Sequence, residues 1–202
     1  HSMKSVETDP VRVLWLIKGL GRGGAETILE AALERFDPRM VRIDVAYVLP
    51  NKDALRPSIE SMGVIVHCLA GSGRSGWLRN LGKLLRGHNY DIVHTHSPLV
   101  AIAARLLSPR GQMMMHTEHD VWMQYVLPTR VGNALTMRKN HQVFVISKAV
   151  HKSIRTSPLR WFAPDKRTEL LYHGVDLKKS RRGAAARTEA RRALSLDNGE
   201  VA

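Results

Sequence analysis

Short, continuously apolar runs alternate along this chain with segments whose apolar positions recur every three or four residues. VRVLWLI (11–17), RIDVAYVL (42–49), GVIVHC (63–68), DIVHTH (91–96), QMMMHT (112–117) and QVFVIS (142–147) read as strands. Most lack polar alternation, as strands covered on both faces do. Helices are expected near 24–36, 53–62, 76–88, 98–107, 129–140 and 148–156. The first puts Ile28, Leu29, Ala32, Leu33 and Phe36 on one face. Strands alternating with helices predict right-handed crossovers and an α/β fold, a doubly wound, mostly parallel, Rossmann-like sheet with helices on both faces. No internal repeat is visible. The pattern fades after ELLYHGVDL (169–177). Residues 1–3, HSM, read as an expression-tag remnant and 4–177 as one Rossmann-like domain. Residues 178–202 read as a basic linker toward a second domain that the sequence does not contain.

Composition changes this picture in two respects. With 202 residues and 44% hydrophobic content the chain can bury a substantial core. Its single cysteine, Cys68, excludes an internal disulfide and fits a reducing compartment, and its place at the end of GVIVHCL marks it as a packing residue. No run approaches the roughly 18 apolar residues of a membrane span. No leader pattern opens the chain, so a cytoplasmic location is expected. The formal charge of +13 favours phosphate-rich partners. Residues 178–192, with seven basic side chains and one acidic, read as a solvated segment.

The candidate chemistry begins at GLGRGGAE (19–26), where Gly19, Gly21 and Gly24 satisfy G-x-G-x-x-G between a strand and a helix. Such a turn offers backbone N–H groups and a positive helix end to an anion, and glycine lets a phosphate approach closely. A dinucleotide site also needs an acidic side chain at the end of the second strand. That strand ends Leu49, Pro50, Asn51, Lys52, with Asp53 past the proline. The anion site therefore survives and the dinucleotide site loses its confirming partner.

Histidines gather at two later strand ends, His94 and His96 in DIVHTHSP and His116 and His119, with Glu118 and Asp120, in MMMHTEHDVW. His94 and His116 can serve strand packing while His96 and His119 line the cleft; strand alternation allows either parity, and the residue nearer the loop is the better candidate for function. A zinc site is conceivable from this inventory, but no H-x3-H helix or cysteine pair supports one, and no metal is expected. Glu26 and Glu34 match an E-x7-E spacing on the first predicted helix, the wrong place for that motif. GWLRNLGKLLRGHNY (76–90) has an apolar stripe with Arg79, Lys83 and Arg86 on its flanks. An interfacial helix on anionic lipid would look so, and so would a helix covering a sheet, which is the preferred reading. SKAVHKSIRTSPLRWFAP (147–164) adds basic residues and an aromatic pair. Neither segment interleaves aromatics as single-stranded nucleic-acid binders do, so no nucleic acid is expected.

GLGRGGAE, DIVHTHSP, HTEHDVW, VISKAVHKSI and LYHGVDL occur in this order. The succession resembles the N-terminal, acceptor-side domain of a retaining glycosyltransferase of family four, with the GT-B fold, over residues 11 to 177. The resemblance implies metal-independent transfer from a nucleotide sugar to a glycan, lipid or small-polyol acceptor. It implies that Gly23 and Gly24 approach the donor diphosphate, with Arg22 and Glu26 at the mouth of the cleft. It places His119 as the catalytic histidine beside the transferred sugar, and His96 and Ser97 on the acceptor side. Glu118 and Asp120 flank His119 and are counted with the cleft. The family's usual Asn before Gly-Val-Asp is His173 here, and its nucleotide-binding domain is missing, so no transferase activity is expected of the chain alone. A peripheral contact with the inner face of the membrane is a separate expectation. The rival readings are a nucleotide-binding oxidoreductase or epimerase domain and a non-enzymatic anion-binding module.

Overall fold

The apolar run Val11–Ile17 becomes a central strand, β1, and pairs in parallel on both sides, with β2 (Val41–Tyr47) and β4 (Ile92–Thr95). With β3 (Val66–Cys68), β5 (Met113–Glu118), β6 (Gln142–Val145) and β7 (Thr168–Leu170) it builds a seven-stranded parallel sheet of order β3-β2-β1-β4-β5-β6-β7. The structure, a computed structural model, describes residues 9–163, 167–174, 188–189 and 191–193. The chain divides into two units, His1–Tyr172, which carries the sheet, and His173–Ala202. Most of the basic tail, 178–202, lies outside the described residues.

Helices follow the strands of the sheet: α1 (Gly24–Leu33), α2 (Arg56–Ser61), α3 (Gly76–Gly87), α4 (Pro98–Leu107), α5 (Leu127–Met137) and α6 (Lys148–Arg155). Short 3-10 turns lie at Trp122–Gln124 and Arg160–Phe162. Alternation along β1 sorts the core. Trp15 and Ile17 pack toward α1 and α2 with Leu29, Val45, Tyr47 and Ile59. Leu14 and Leu16 pack on the other face toward α3 and α4 with Leu81, Leu85, Val93 and Val100. Val143 and Val145 of β6 join Trp122, Met137, Val150 and Ile154 in a third cluster under α5 and α6.

The expected strands and helices are all present, with shifts that have local causes. β7 was not expected, because Thr-Glu-Leu contains no apolar run; it forms by pairing with β6. Phe36 does not share the buried face of α1, since the helix ends at Leu33 and leaves Phe36 47% exposed. Cys68 is a free, half-buried thiol packed on the cluster under α1 and α2. In α3 the apolar stripe turns inward, with Leu81, Leu84 and Leu85 buried and Trp77 and Leu78 packed on the core, while Arg79, Lys83 and Arg86 face solvent. Among the described residues no helix is long and apolar enough to cross a membrane.

Candidate functional site

The sheet winds outward in both directions from β1 and β4, so the crevice at their carboxyl ends is where a doubly wound fold takes ligands. Three segments leave the sheet beside it, Lys18–Gly23 after β1, His96–Ser97 after β4 and His119–Tyr125 after β5. Lys18 N–H donates to Ser97 Oγ at 3.3 Å, and Lys18 O accepts from Val48 and Leu49 N–H, which ties the first loop to the ends of β4 and β2.

Within the glycine loop the residues differ in what they require. A Cβ on Gly19 would come to 3.0 Å from Lys52 Cβ, and Leu20 N–H donates to Lys52 O at 2.6 Å. Lys52 thus packs beside the turn, where a dinucleotide fold would present its acid. Gly23, extended at φ −95°, caps α1 with no side chain of its own, and its carbonyl accepts from Thr27 Oγ1 at 2.8 Å. The Glu26 carboxylate lies against it, within 2.4 Å of where a Cβ would stand. Anionic oxygen therefore already occupies the positive end of α1, an arrangement worth about 0.3–1 kcal/mol at an exposed site. A Cβ on Gly24 would meet nothing within 4 Å. Arg22 is exposed on the same loop.

The histidines separate by face. His96 stacks on Trp15 at 3.7 Å between ring centroids and 6° between planes, and its Nδ1 lies 3.2 Å from His119 Nε2. His94 shares that face, 4.1 Å from His96 by centroids, with Nε2 2.9 Å from Thr117 Oγ1. Burial, with the nearby His116 and His119, lowers its pKa from 6.5 to about 3.

On the opposite face His116 is fully buried, with Nδ1 3.0 Å from Thr95 O and 2.8 Å from Thr95 Oγ1. Its Nε2 faces the Glu118 carboxylate at 3.5 Å. Burial holds the ring's pKa down and the ring neutral. Glu118 beside it is also fully buried and accepts from Trp122 Nε1 (3.0 Å), Asn133 Nδ2 (2.8 Å) and Tyr125 OH (2.5 Å). Burial alone would raise its pKa, but the adjacent His116 Nε2 and the Tyr125 and Trp122 donors keep the carboxyl below its usual value. Asn133 Oδ1 in turn accepts from Arg105 Nη1 at 2.8 Å, so the amide bridges carboxylate and guanidinium. Arg105 is 2% exposed, and burial lowers its pKa to about 10.

Of the expected site residues, Gly23, Gly24, Arg22 and Glu26 lie together at the α1 end, while His96, Ser97 and His119 meet at the ends of β4 and β5. Asp120 is exposed next to His119, its carboxyl raised by burial and by the charge of Glu118. Glu118 is corrected: it lines no cleft but lies under β5, fastening the Trp122–Tyr125 segment that follows His119. One step along a strand reverses the face, so adjacency to His119 turned it away. His94 and His116, both expected in strand packing, are held there on opposite faces of the sheet, His116 fully buried. Trp15, Arg105 and Asn133 were missed; the strand order and register that bring Trp15 beside His94 and His96 are not written in any local motif. Among the described residues no three His, Cys, Asp or Glu side chains are grouped to hold a metal ion.

The family model described as Glycosyltransferase Family 4 matches residues 22–179. No curated protein matches the chain. Among solved structures, Anabaena HepE in complex with UDP is similar with a TM-score of 0.71 at 17% identity, over 92% of this chain and 50% of HepE. The lipopolysaccharide outer core galactosyltransferase WaaB in its apo form gives 0.64 at 13%, over 82% and 46%. MurG of Acinetobacter baumannii gives 0.57 at 12%, over 83% and 46%. The chain spans about half the length of each of these structures. At such identities the likeness is one of fold, the Rossmann-like half of a GT-B architecture. The family match over most of the chain and the parallel sheet lead to one statement: the chain belongs to glycosyltransferase family 4, as a GT-B-type N-terminal domain.

Proposed function

We propose that this domain is the acceptor-side half of a site that moves a sugar from a nucleotide-sugar donor to a glycan, lipid or small-polyol acceptor, with retention at the anomeric carbon. The observation that carries the reading is the convergence on one sheet edge of the Gly23–Gly24 helix end and the His96–His119 pair. HepE is described in complex with UDP and with UDP-glucose, which favours a nucleoside-diphosphate sugar as the donor class. In this reading the diphosphate displaces the Glu26 carboxylate from the α1 end. The acceptor hydroxyl attacks the anomeric carbon from the side on which the diphosphate leaves, and a diphosphate oxygen takes its proton. N–H groups of α1 and basic side chains such as Arg22 meet the charge that develops, and no metal is required. His119, oriented by His96, hydrogen-bonds the transferred sugar. A second domain supplies the rest of the donor grip, so these 202 residues alone transfer no sugar. The setting is the cytoplasm, at the inner face of the membrane.

Calorimetry and a radiolabelled transfer assay test this. Weak binding of a UDP- or GDP-sugar, with no transfer, is expected. Tighter binding of NAD(H) would favour an oxidoreductase or epimerase domain. Salt-sensitive polyanion binding that ignores Gly24 substitution would favour an anion-binding module. Transfer by the purified chain would overturn the half-site claim.

A further inference from the structure

His96 is the first residue past β4, and its backbone N–H donates to Leu16 O at 2.9 Å. The torsion that turns an imidazole about its bond to Cβ is broad and roughly two-fold, so nothing intrinsic sets the plane of the ring. That plane is set from β1. The Trp15 indole lies 3.7 Å from the His96 ring by centroids and 6° from parallel, closer than the about 4.5–7 Å at which aromatic pairs usually sit. By contrast, the Trp15–His94, His94–His96 and His96–His119 contacts are tilted by 47°, 41° and 42°.

Trp15 is a firm support for such a stack. It lies within β1, opposite Val45 of β2 on one side and His94 of β4 on the other. It is 7% exposed and packs with Leu29, Val45 and Tyr47. Yet its Nε1 is buried with no hydrogen-bond partner among the described residues. An aliphatic side chain would fill the same apolar cluster without leaving a donor unmet. What it would not supply is the flat face on which His96 lies.

We propose that Trp15 is a positioning residue of the half-site, its indole fixing the plane of the His96 ring and, through the His96 Nδ1 contact, the orientation of His119. The stack leaves His96 two orientations related by half a turn. One brings Nδ1 to 3.2 Å from His119 Nε2, and the other would put a ring carbon there. The contact between the rings therefore selects the orientation, while the stack keeps His96 in the plane where that contact is within reach. His119 follows β5 and is half-buried, so the pair ties a partly exposed ring to the core of the sheet. The value of this to transfer rests on the reading that His119 meets the transferred sugar; the hold of Trp15 on the two rings does not.

Ring-proton and ring-nitrogen NMR of the full chain tests this without any nucleotide. Stacking on the indole should move the His96 ring protons upfield and give them cross-peaks to the Trp15 ring protons. In Trp15→Leu the His96 Nδ1 and His119 Nε2 signals should move toward those of a free imidazole exchanging between its tautomers, while His116 on the other face of the sheet keeps its own. Trp15→Phe, which restores a flat face, should return both signals most of the way to the parent. The proposal is overturned if the parent lacks the upfield shift and the cross-peaks, a measurement that needs no variant to fold. It is overturned equally if Trp15→Leu leaves both signals in place, if His116 moves with them, or if Trp15→Phe departs as far as Trp15→Leu. Added UDP-glucose separates this claim from the donor site. Trp15→Leu should lose the amide shifts at His119–Asp120 and retain those at Gly23–Glu26, and retention of both sets would remove Trp15 from the half-site. Absence of all these shifts in the parent would count against the donor site, and the ring signals would still decide for or against Trp15.

Discussion

Glu118 shows how far one position along a strand can move a role. Counted with the cleft because His119 follows it, Glu118 turns to the opposite face and neutralises Arg105 through Asn133. Glu118→Ala should lower unfolding free energy in urea by about 3–5 kcal/mol, since it leaves a buried cation and three donors without their partner. Glu118→Gln should cost about 1–3 kcal/mol. A loss within 0.5 kcal/mol for both would contradict the network, that being the usual range of surface substitutions. Sequence order brought His96 and His119 to the right strand ends, but their contact depends on parity in two strands at once. His96→Phe keeps a ring to stack on Trp15 and removes the Nδ1 contact, so the ring-nitrogen NMR signals of His119 should move. An unchanged spectrum would show that the two rings do not interact in solution.

The elements themselves were legible wherever a strand lay between two covered faces, as β1, β4 and β6 do. They were illegible where pairing alone makes the strand, as in Thr168–Leu170, or where a helix stops short of its apolar pattern, as at Phe36. The glycines of two loops separate structural from functional need. A Cβ on Gly71 would stand 2.7 Å from the Gly76 carbonyl carbon, so Gly71→Ala should destabilise by about 1–3 kcal/mol through backbone displacement. Gly24 has open space around its Cβ position, and alanine favours the helix. Gly24→Ala should therefore leave thermal stability equal or slightly higher while reducing nucleotide binding, because the new methyl shields the α1 end. Loss of stability at Gly24 would place its importance in folding instead.

For the whole molecule, the buried histidines set a direction for acid sensitivity. His94 titrates near 3 when folded and near 6.5 when free, so the unfolded chain binds more protons between these values. Its stabilisation is complete above about pH 6.5 and is lost as pH falls toward 3, a loss on the order of a few kcal/mol. His116 acts in the same direction, and so does Glu118, whose folded pKa lies below its usual value. The urea midpoint should fall steadily from pH 7 to pH 4, and His94→Asn should flatten part of that slope. A slope as steep as the parent's would assign the acid sensitivity to other groups.

The most direct test of the half-site is an amide NMR titration of the whole chain with UDP-glucose. Shifts confined to Gly23–Glu26, His96–Ser97 and His119–Asp120, and abolished by Gly24→Ala, are the predicted result. Shifts at the other glycine-rich turn, Gly71–Gly76, or persistence of the first set in Gly24→Ala, would contradict the account.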